Sequence, residues 1–407
     1  MRHLLALLLL LLPAWAGAQG ISGTVRDSLT QKPLPFASVF LANTTLGATT
    51  NEQGQFALTR VPAGRYDLVA SYVGYRLARR SVQVAAAMPP IALVLAPETN
   101  QLSEVVVRAR RHANRPEDYR RFAELFLGTS SFSQQCRITN PREVLVEYHP
   151  QAKELAAEAP DFLEVENQAL GYRIKYYGLR FRVSFVQQVL SFYGQPVFEE
   201  LVPRNVHQRR RWESNRLTAY QGSQRHFLKS VYDDRVVAEG FLAQKLRIVP
   251  NPAFARADSL SAQLRHHRPP DVRTAAEQDS LASWGRVLPN LQLLYTAPRP
   301  IDSLRRVAAD GRVFLRFTNF LRISYLRELP DPRYLASLGG PAARRPGAAT
   351  GNQPQVSRLR LLEPEAELLP TGRLLSPLAL FTEDYWGFEK MGEFLPLDYL
   401  PPPFFHP

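Results

Sequence analysis

From Ile21 to Pro97 the chain alternates apolar and polar residues in short runs separated by turn-forming residues. In "ISGTVRD" the residues Ile21, Gly23 and Val25 share one face, the mark of a half-buried strand. "SLTQKPLP" supplies a turn, and "FASVFLANT" puts Ala37, Val39 and Leu41 on one side. "LGATTNEQGQFAL" carries a turn at Asn51–Gly54, where Asn can bond its own backbone and Gly tolerates positive φ, and then presents Phe56 and Leu58 together. A corner at Pro62-Ala63-Gly64 leads into the alternation of Tyr66, Leu68, Ala70 and Tyr72, and "RRSVQV" and "IALVLAP" extend the series. Short strands with closely spaced turns predict an antiparallel β-sandwich over residues 19–97.

After Arg115 the pattern changes. "PEDYRRFAELFLG" spaces Tyr119, Phe122, Leu125 and Phe126 as an amphipathic helix ending at Gly128. "EVLVEY", "DFLEVEN", "GYRIKYYGLRFRVSF" and "QQVLSFYGQPVFEEL" read as strands. "NRLTAYQGSQRHFLKSVYDDRVVAEGF" reads as helical, with Phe227, Leu228, Val231 and Tyr232 on one side, as do segments near 258–284 and 302–309. "RVFLRFTN", "LRISYL" and "RLRLLEPEAELLPTGRLL" are extended again. The chain is therefore mostly β, a sandwich followed by a strand-rich α+β domain at 115–407. Residues 98–114 are a linker or edge strand. The Gly/Pro/Ala-rich residues 338–356 form a flexible loop inside the second domain rather than a boundary.

The first residues lie outside this pattern. Arg2 and His3 precede an unbroken apolar run from Leu4 to Leu12, Pro13 breaks it, and Ala16-Gly17-Ala18 follows. A basic start, a short apolar stretch and small residues describe a secretory signal peptide at 1–18, cleaved before Gln19; a short N-terminal anchor is the alternative. No later run approaches the ~18–20 apolar residues of a membrane-crossing helix. The expected location is the periplasm, with outer-membrane association or secretion as variants.

Export changes the meaning of the composition. The formal charge is +13, carried mostly by arginine. A basic surface suits nucleic acid, anionic lipid or acidic polymers, but an exported chain does not meet nucleic acid, and the arginines are dispersed. The densest run, Arg209-Arg210-Arg211, reads as a solvated face. Cys136 is the only cysteine, so no internal disulfide can form and stability must come from a buried core. That thiol reads as a small buried hydrophobe.

The stretch "GTVRDSLTQKPLPFASVFLANTTLGATTNEQGQFALTRVPAGRYDLVASYVGY" resembles the carboxypeptidase-regulatory-like domain, a transthyretin/Ig-like β-sandwich common in exported proteins of Bacteroidetes-type bacteria. The likeness rests on G-x-V-x-D, P-L-P-x-A-x-V, T-N-x-x-G-x-F, V-P-x-G-x-Y-x-L and S-Y-V-G-Y in that order. In "QLSEVVVRARR", Leu102, Glu104, Val105, Val106 and Val107 are similar to the segment that follows such a sandwich in TonB-dependent receptors. The remaining ~300 residues are too few for a plug and a large barrel, so this segment is expected to be an edge strand, open to pairing with an envelope partner. The downstream order of elements is similar to a group of envelope proteins that carry the same sandwich, which implies architecture and no activity.

Catalytic chemistry is sparse. A metallocarboxypeptidase needs His-x-x-Glu and a distant His to hold zinc with an open position. No histidine is followed at that spacing by Glu, and His-Glu-x-x-His, a P-loop, G-x-G-x-x-G, an EF-hand loop, G-x-S-x-G and paired cysteines do not occur. "EYHPQAKELAAEAPDFLEVEN" gathers Glu147, His149, Glu154, Glu158, Asp161, Glu164 and Glu166, a set read as solvated charge. "HFLKSVYDD" offers His226 with Asp233 and Asp234, since i and i+7 share a helix face, but the set reads as a helix surface and a C-terminal turn. Tyr176, Tyr177, Phe192, Tyr193, Tyr385 and Trp386 could line a groove, though their alternation suits a core. The sequence therefore names no catalytic, cofactor-binding or metal-ligating residue. It points to a non-enzymatic envelope protein whose second domain binds an envelope partner or ligand. The alternatives are a carbohydrate binder, a hydrolase with an unrecognised site in 115–407, and an outer-membrane-inserted chain.

Overall fold

A computed structural model describes residues 20–85, 88–98, 114–338 and 354–402. The segment at 1–18, the "LSEVVV" segment and nearly all of 338–356 lie outside the described residues. The chain divides into two compact units, one of residues 1–219 with 390–407 and the other of residues 220–389. The region 115–407, read from sequence as one domain, is thus parted at 219/220, and its last residues return to the unit of the sandwich.

In the first unit the sandwich has two sheets. β1 (Ile21–Asp27) is flanked by β4 (Gln55–Leu58) and β7 (Ile91–Leu95). β2 (Ser38–Leu41), β3 (Gly47–Thr49), β5 (Gly64–Ser71) and β6 (Ala78–Val84) form the other sheet in the order β3-β2-β5-β6. All pairings are antiparallel except β1 with β7, which run parallel. The expected inward residues Ile21, Val25, Ala37, Val39, Leu41, Phe56, Leu58, Tyr66, Leu68 and Ala70 form the core. The Asn51 carboxamide oxygen accepts from the N–H groups of Gln53 and Gln55. Gly54 sits at φ 69°, where a Cβ would meet the Val25 carbonyl oxygen at 2.7 Å.

The same unit continues with α1 (Pro116–Leu127), capped by Gly128 as expected, and a six-stranded antiparallel sheet. Its strands are β8 (Cys136–Ile138), β9 (Leu145–His149), β10 (Glu154–Glu158), β11 (Phe162–Asn167), β12 (Tyr172–Ser184) and β13 (Val189–Glu200). β12 is the hub, pairing β10, β11 and β13. Its inner face packs Tyr172, Ile174, Tyr176 and Phe181 with Phe122 and Phe126 of α1. α2 (Val206–Tyr220) closes the β11–β12 corner: Trp212, Asn215 and Arg216 donate to the carbonyls of Gln168, Ala169 and Leu170, at 2.8 Å in each case.

The outer face of this sheet is not left to water. Phe40, Ala42 and Val69 of the sandwich are buried against Tyr177 and Val197, and Phe162 packs beside them. The Phe40 and Tyr177 rings stack at a centroid distance of 4.9 Å. Residues 43–45 run between β13 and the returning tail. Asn43 N–H donates to the Pro196 carbonyl at 2.6 Å, Leu397 N–H to the Asn43 carbonyl at 2.7 Å, and Thr45 N–H to Asp398 at 3.0 Å. Met391 of the tail is fully buried in the α1–sheet core, and the Asn167 carboxamide donates to the Gly392 carbonyl at 2.9 Å.

The second unit is built on β14 (Phe241–Pro250), β15 (Asn290–Pro298), β18 (Phe320–Tyr325), β19 (Gln355–Leu361) and β21 (Leu380–Asp384), ordered β15-β14-β18-β19-β21 and antiparallel throughout. A smaller sheet joins β16 (Arg305–Val307), β17 (Val313–Leu315) and β20 (Ala366–Leu368). Phe227, Leu228 and Val231 of α3 (Gln224–Tyr232) enter a core with Phe241, Leu315, Ile323, Tyr325 and Trp386. The helix expected across 215–241 is broken at Gly222 and ends at Tyr232, and 241 begins β14. The segment near 302–309, expected to be helical, is a short 3-10 turn followed by β16, because β17 offers it a strand partner. The segment near 258–284, expected to be helical, holds two helices, α4 (Pro252–His267) and α5 (Ala275–Gly285). The short helices α6 (Pro332–Ser337) and α7 (Tyr385–Phe388) complete the unit.

Phe40→Ala should remove the ring that fills the seam between sandwich and sheet. The expected loss is about 3 kcal/mol, read as a lower denaturant midpoint in equilibrium unfolding. An unchanged midpoint would show that the seam contributes nothing.

Candidate functional site

The sequence singled out an acidic cluster at 147–166, and the structure spreads it over β9, β10 and β11, with β12 standing between β10 and β11. β10 and β11 both pair with β12, whose outward residues are largely basic. Glu158 pairs with Arg180, Glu154 lies 3.8 Å from Arg182, and Arg173 stands 3.8 Å from Glu164 and 3.9 Å from Glu166. Lys175 meets Glu199 of β13 at 2.7 Å. These are cross-strand ion pairs on one sheet face, the geometry that period-2 alternation dictates. Hydrogen bonds from Gln168 and from Arg137, at 2.8 and 2.9 Å, hold the Glu166 carboxyl below its ordinary range. Glu147 and His149 are exposed on β9, 3.8 Å apart, and Asp161 is exposed at the start of β11. Glu154, Glu158, Glu164 and Glu166 are therefore spent on strand pairing, and the set does not converge.

His226 is the sharper case. It lies in the first turn of α3, whose N-cap Ser223 accepts from the His226 N–H. The ring is buried among Tyr220, Phe241 and Tyr325, with centroids 4.9, 4.8 and 5.7 Å away. Gly222 N–H donates to Nδ1 at 3.2 Å, so Nδ1 accepts and Nε2 carries the proton, directed at Glu239 Oε2 3.4 Å away. Glu239 is held in turn by Arg235 at 3.1 Å. His226 does not pair with Asp233: Asp233 caps the end of α3 and pairs with Lys229 one turn back, and Asp234 is exposed beyond it, as a helix surface and C-terminal turn require. Both ring nitrogens are engaged within the unit, and burial lowers the His226 pKa to about 4 against the pull of Glu239. This is a histidine in a structural role. Gly222 is required there, because its φ is 72° and a Cβ would meet Gln355 Oε1 at 2.1 Å.

Glu328 was not distinguished in the sequence. Burial pushes its carboxyl up to about 7, against a 3.3 Å hydrogen bond from the Gln355 amide. Only the chain's return through β18 and β19 places those residues together, so local pattern could not reveal it.

The remaining candidates resolve simply. Cys136 is half-buried with its thiol pushed up to about 12 by burial, and so is held as the neutral thiol. Tyr176, Tyr177, Tyr385 and Trp386 are buried, and Phe192 packs on the α1–sheet core. Of the aromatic set only Tyr193 is exposed, at 58%. These residues form cores rather than a groove. Arg209, Arg210 and Arg211 are exposed on α2, and a shallow cavity of about 370 Å³ is lined by Arg204, Asn205, His207, Gln208 and Arg211. Among the described residues no three His, Cys, Asp or Glu side chains are grouped to hold a metal ion. No helix of the described residues is long and apolar enough to cross a membrane.

The surface of the second unit has one uncommon feature. All nine residues of β15 are exposed, including Leu291, Leu293, Leu294 and Tyr295. β18 pairs β14 only through Leu246, so 247–250 and 290–293 form a bare two-stranded ribbon. The ribbon is joined through α4 and α5, where the only buried residues are Ala257 and Ser261.

Residues 21–107 match the family model of the CarboxypepD_reg-like domain, and the N-terminal sandwich is a domain of that kind. No curated protein matches the chain. Among solved structures, the chain is similar to an N-terminal interface mutant of a type II cohesin–X-dockerin complex from Acetivibrio cellulolyticus, with 21% identity over 28% of this chain and 76% of that one and a TM-score of 0.17. A C-terminal interface mutant of that complex gives 20% identity over 19% of this chain, a TM-score of 0.15, and a match spanning 51% of its own length. A protein from Bacteroides fragilis described as membrane-associated and of unknown function gives 11% identity over 75% of this chain and 87% of that one, with a TM-score of 0.16. Likeness of this extent bears on neither mechanism nor partner.

His226 and Glu328 shift stability in opposite directions with pH. Between about 4 and 6.5 the unfolded chain binds a proton at His226 that the folded chain does not, so stability rises with pH. Between 4.5 and about 7 the folded chain keeps a proton on Glu328 that the unfolded chain has released, so stability falls with pH. Glu328→Gln should therefore steepen the gain in stability from about pH 5 to about pH 7, with His226 contributing on the order of 2 kcal/mol. His226→Gln should flatten or reverse it. Urea midpoints at the two pH values check both signs.

Proposed function

We propose that the chain is an exported, non-enzymatic protein of the cell envelope, and that residues 220–389 bind a protein partner by strand addition at β15. The sandwich acts as a stabilising module, because its Phe40–Val69 face is occupied by the α+β sheet of its own unit. The observation that carries the binding role is the state of β15: nine consecutive exposed residues, none charged, on an open sheet edge. Edge strands are ordinarily blunted by charge, by Pro or by shortness. The edges β6, β9 and β21 follow that rule with Arg79 and Arg80, Glu147 and His149, and Glu383 and Asp384. In β15 the register shift after Leu294 and Pro298 stand at the far end, and the regular, uncharged residues 290–294 offer main-chain hydrogen bonds to an extended partner strand, with alternate side chains giving selectivity. The basic start, the Leu4–Leu12 run and Ala16-Gly17-Ala18 support the periplasm as the place of action.

The test is made in envelope extracts. The chain should be recovered with Gln19 as its first residue, in a native complex heavier than one copy. A Leu291→Lys/Leu293→Lys variant should migrate as a single copy. A complex indifferent to these substitutions would overturn strand addition. Activity in a broad hydrolase panel that survived purification and was lost on altering one residue would overturn the non-enzymatic reading.

A further inference from the structure

We propose that the strand added at β15 is β15 of a second copy, paired antiparallel about a twofold axis near Leu293. This rests on the reading of β15 as a protein-binding edge and names its occupant.

The first support is self-complementarity. β15 pairs β14 along one edge, with Leu293 opposite Arg247 and Leu291 opposite Val249, and its other edge has no strand partner among the described residues. Two identical strands meet antiparallel through a twofold axis, which makes a closed, isologous contact. An axis at Leu293 sets Leu291 against Tyr295 of the second copy, Leu293 against its counterpart, and Tyr295 against Leu291. Leu291 and Leu293 share one sheet face by period-2 alternation, and although the β14–β15 register shifts after Leu294 the Lys245 contact keeps Tyr295 on that face, so the seam becomes an apolar ladder with aliphatic–aromatic cross-strand pairs. On the other face Gln292 lies opposite Leu294. The strand "NLQLLYTAP" has no charged residue, so self-pairing juxtaposes no like charges along it. Lys245 stacks over Tyr295 from the β14 side, 5.3 Å from the ring centroid, and stays one strand away from the seam.

The second support is area. An axis at Leu293 pairs residues 290–296, a seven-residue ladder about 23 Å long; burying that edge with the flanking side chains removes about 400 Å² per copy, and the α4–α5 tips brought alongside extend the contact toward the ~1,000 Å² at which specific interfaces begin. Antiparallel pairing also brings the Asn290 end of each copy to the Thr296–Pro298 end of the other. The α4–α5 tip of one copy then lies alongside the base of the other copy's ribbon. That is the part of the second unit which buries least by itself, and a two-stranded ribbon is at best marginally stable unsupported.

The experiment uses the purified full chain at micromolar concentration, with light scattering after gel filtration. The expected mass is that of two copies. Leu293→Lys should give one copy with an unchanged far-ultraviolet dichroism spectrum, because Leu293 is 43% exposed and holds no core position. Leu293→Cys should form a disulfide-linked dimer on mild oxidation, since directly opposed Cα atoms in an antiparallel pair fall within disulfide reach. Leu288→Cys, outside the strand, should cross-link at least tenfold less. A monomeric wild-type chain, or a dimer that survives Leu293→Lys and does not cross-link through position 293, would overturn the proposal. A photoreactive residue at 293 separates this failure from that of the underlying reading. In cells, adducts with a different envelope protein would sink the second copy and keep strand addition, whereas no adduct would sink both.

Discussion

The contact of Phe40, Ala42 and Val69 with Tyr177 and Val197 decides what the first unit is. A β-sandwich needs only its inner faces dry, and β2 would ordinarily turn Phe40 to water. Here β2 is buried from Val39 through Leu41 because a second sheet covers its outer side. The Thr44–Phe198 and Asn43–Pro196 backbone bonds continue the seam, and Leu397 and Asp398 close it from the returning tail. Contacts between residues some 350 positions apart in sequence thereby make the sandwich, the α1–sheet layer and the tail one folding unit. The accessory domain is a wall of the structure and not a tethered appendage.

That constraint explains the polar residues around it. The outward face of β12 is apolar where Tyr177 meets the sandwich and charged elsewhere, and the charges are matched across strands by Glu154, Glu158, Glu164 and Glu166. Exposed pairs of this kind contribute little stability each. Their consequence is register: a one-residue slip would break the matched charges and turn the apolar residues outward together. The local richness in acid in the linear sequence is the imprint of β10 and β11 flanking the basic outward face of β12.

The second unit uses its buried titratable groups in the same structural sense. His226 joins the α2–α3 break at Gly222 to Glu239, and Glu328 is tied to β19 through Gln355. One group is held neutral by burial as a base and the other as an acid, so their pH dependences oppose each other. Against this closed interior, β15 stands apart as a strand exposed on both faces, with one edge unpaired among the described residues.

The period-2 pattern of the first quarter of the chain, with Asn51–Gly54 and Pro62–Gly64 as corners, determined the sandwich and its inward residues, because alternation and turn chemistry are local. The same was true of α1, β11, β12 and β13. What the sequence could not supply were the facts that depend on distant partners. Phe40 and Val69 read as outward residues until Tyr177 covers them. β10 hid inside an acidic stretch whose charges are satisfied only by β12. The segment at 302–309 became a strand because β17 lies beside it, and Asp233 turned to Lys229 while His226 found Glu239. Most plainly, β15 left no local mark: "NLQLLYTAP" was not distinguished in the sequence, and only the tertiary structure shows it as a strand exposed throughout, with no strand partner on its outer edge among the described residues.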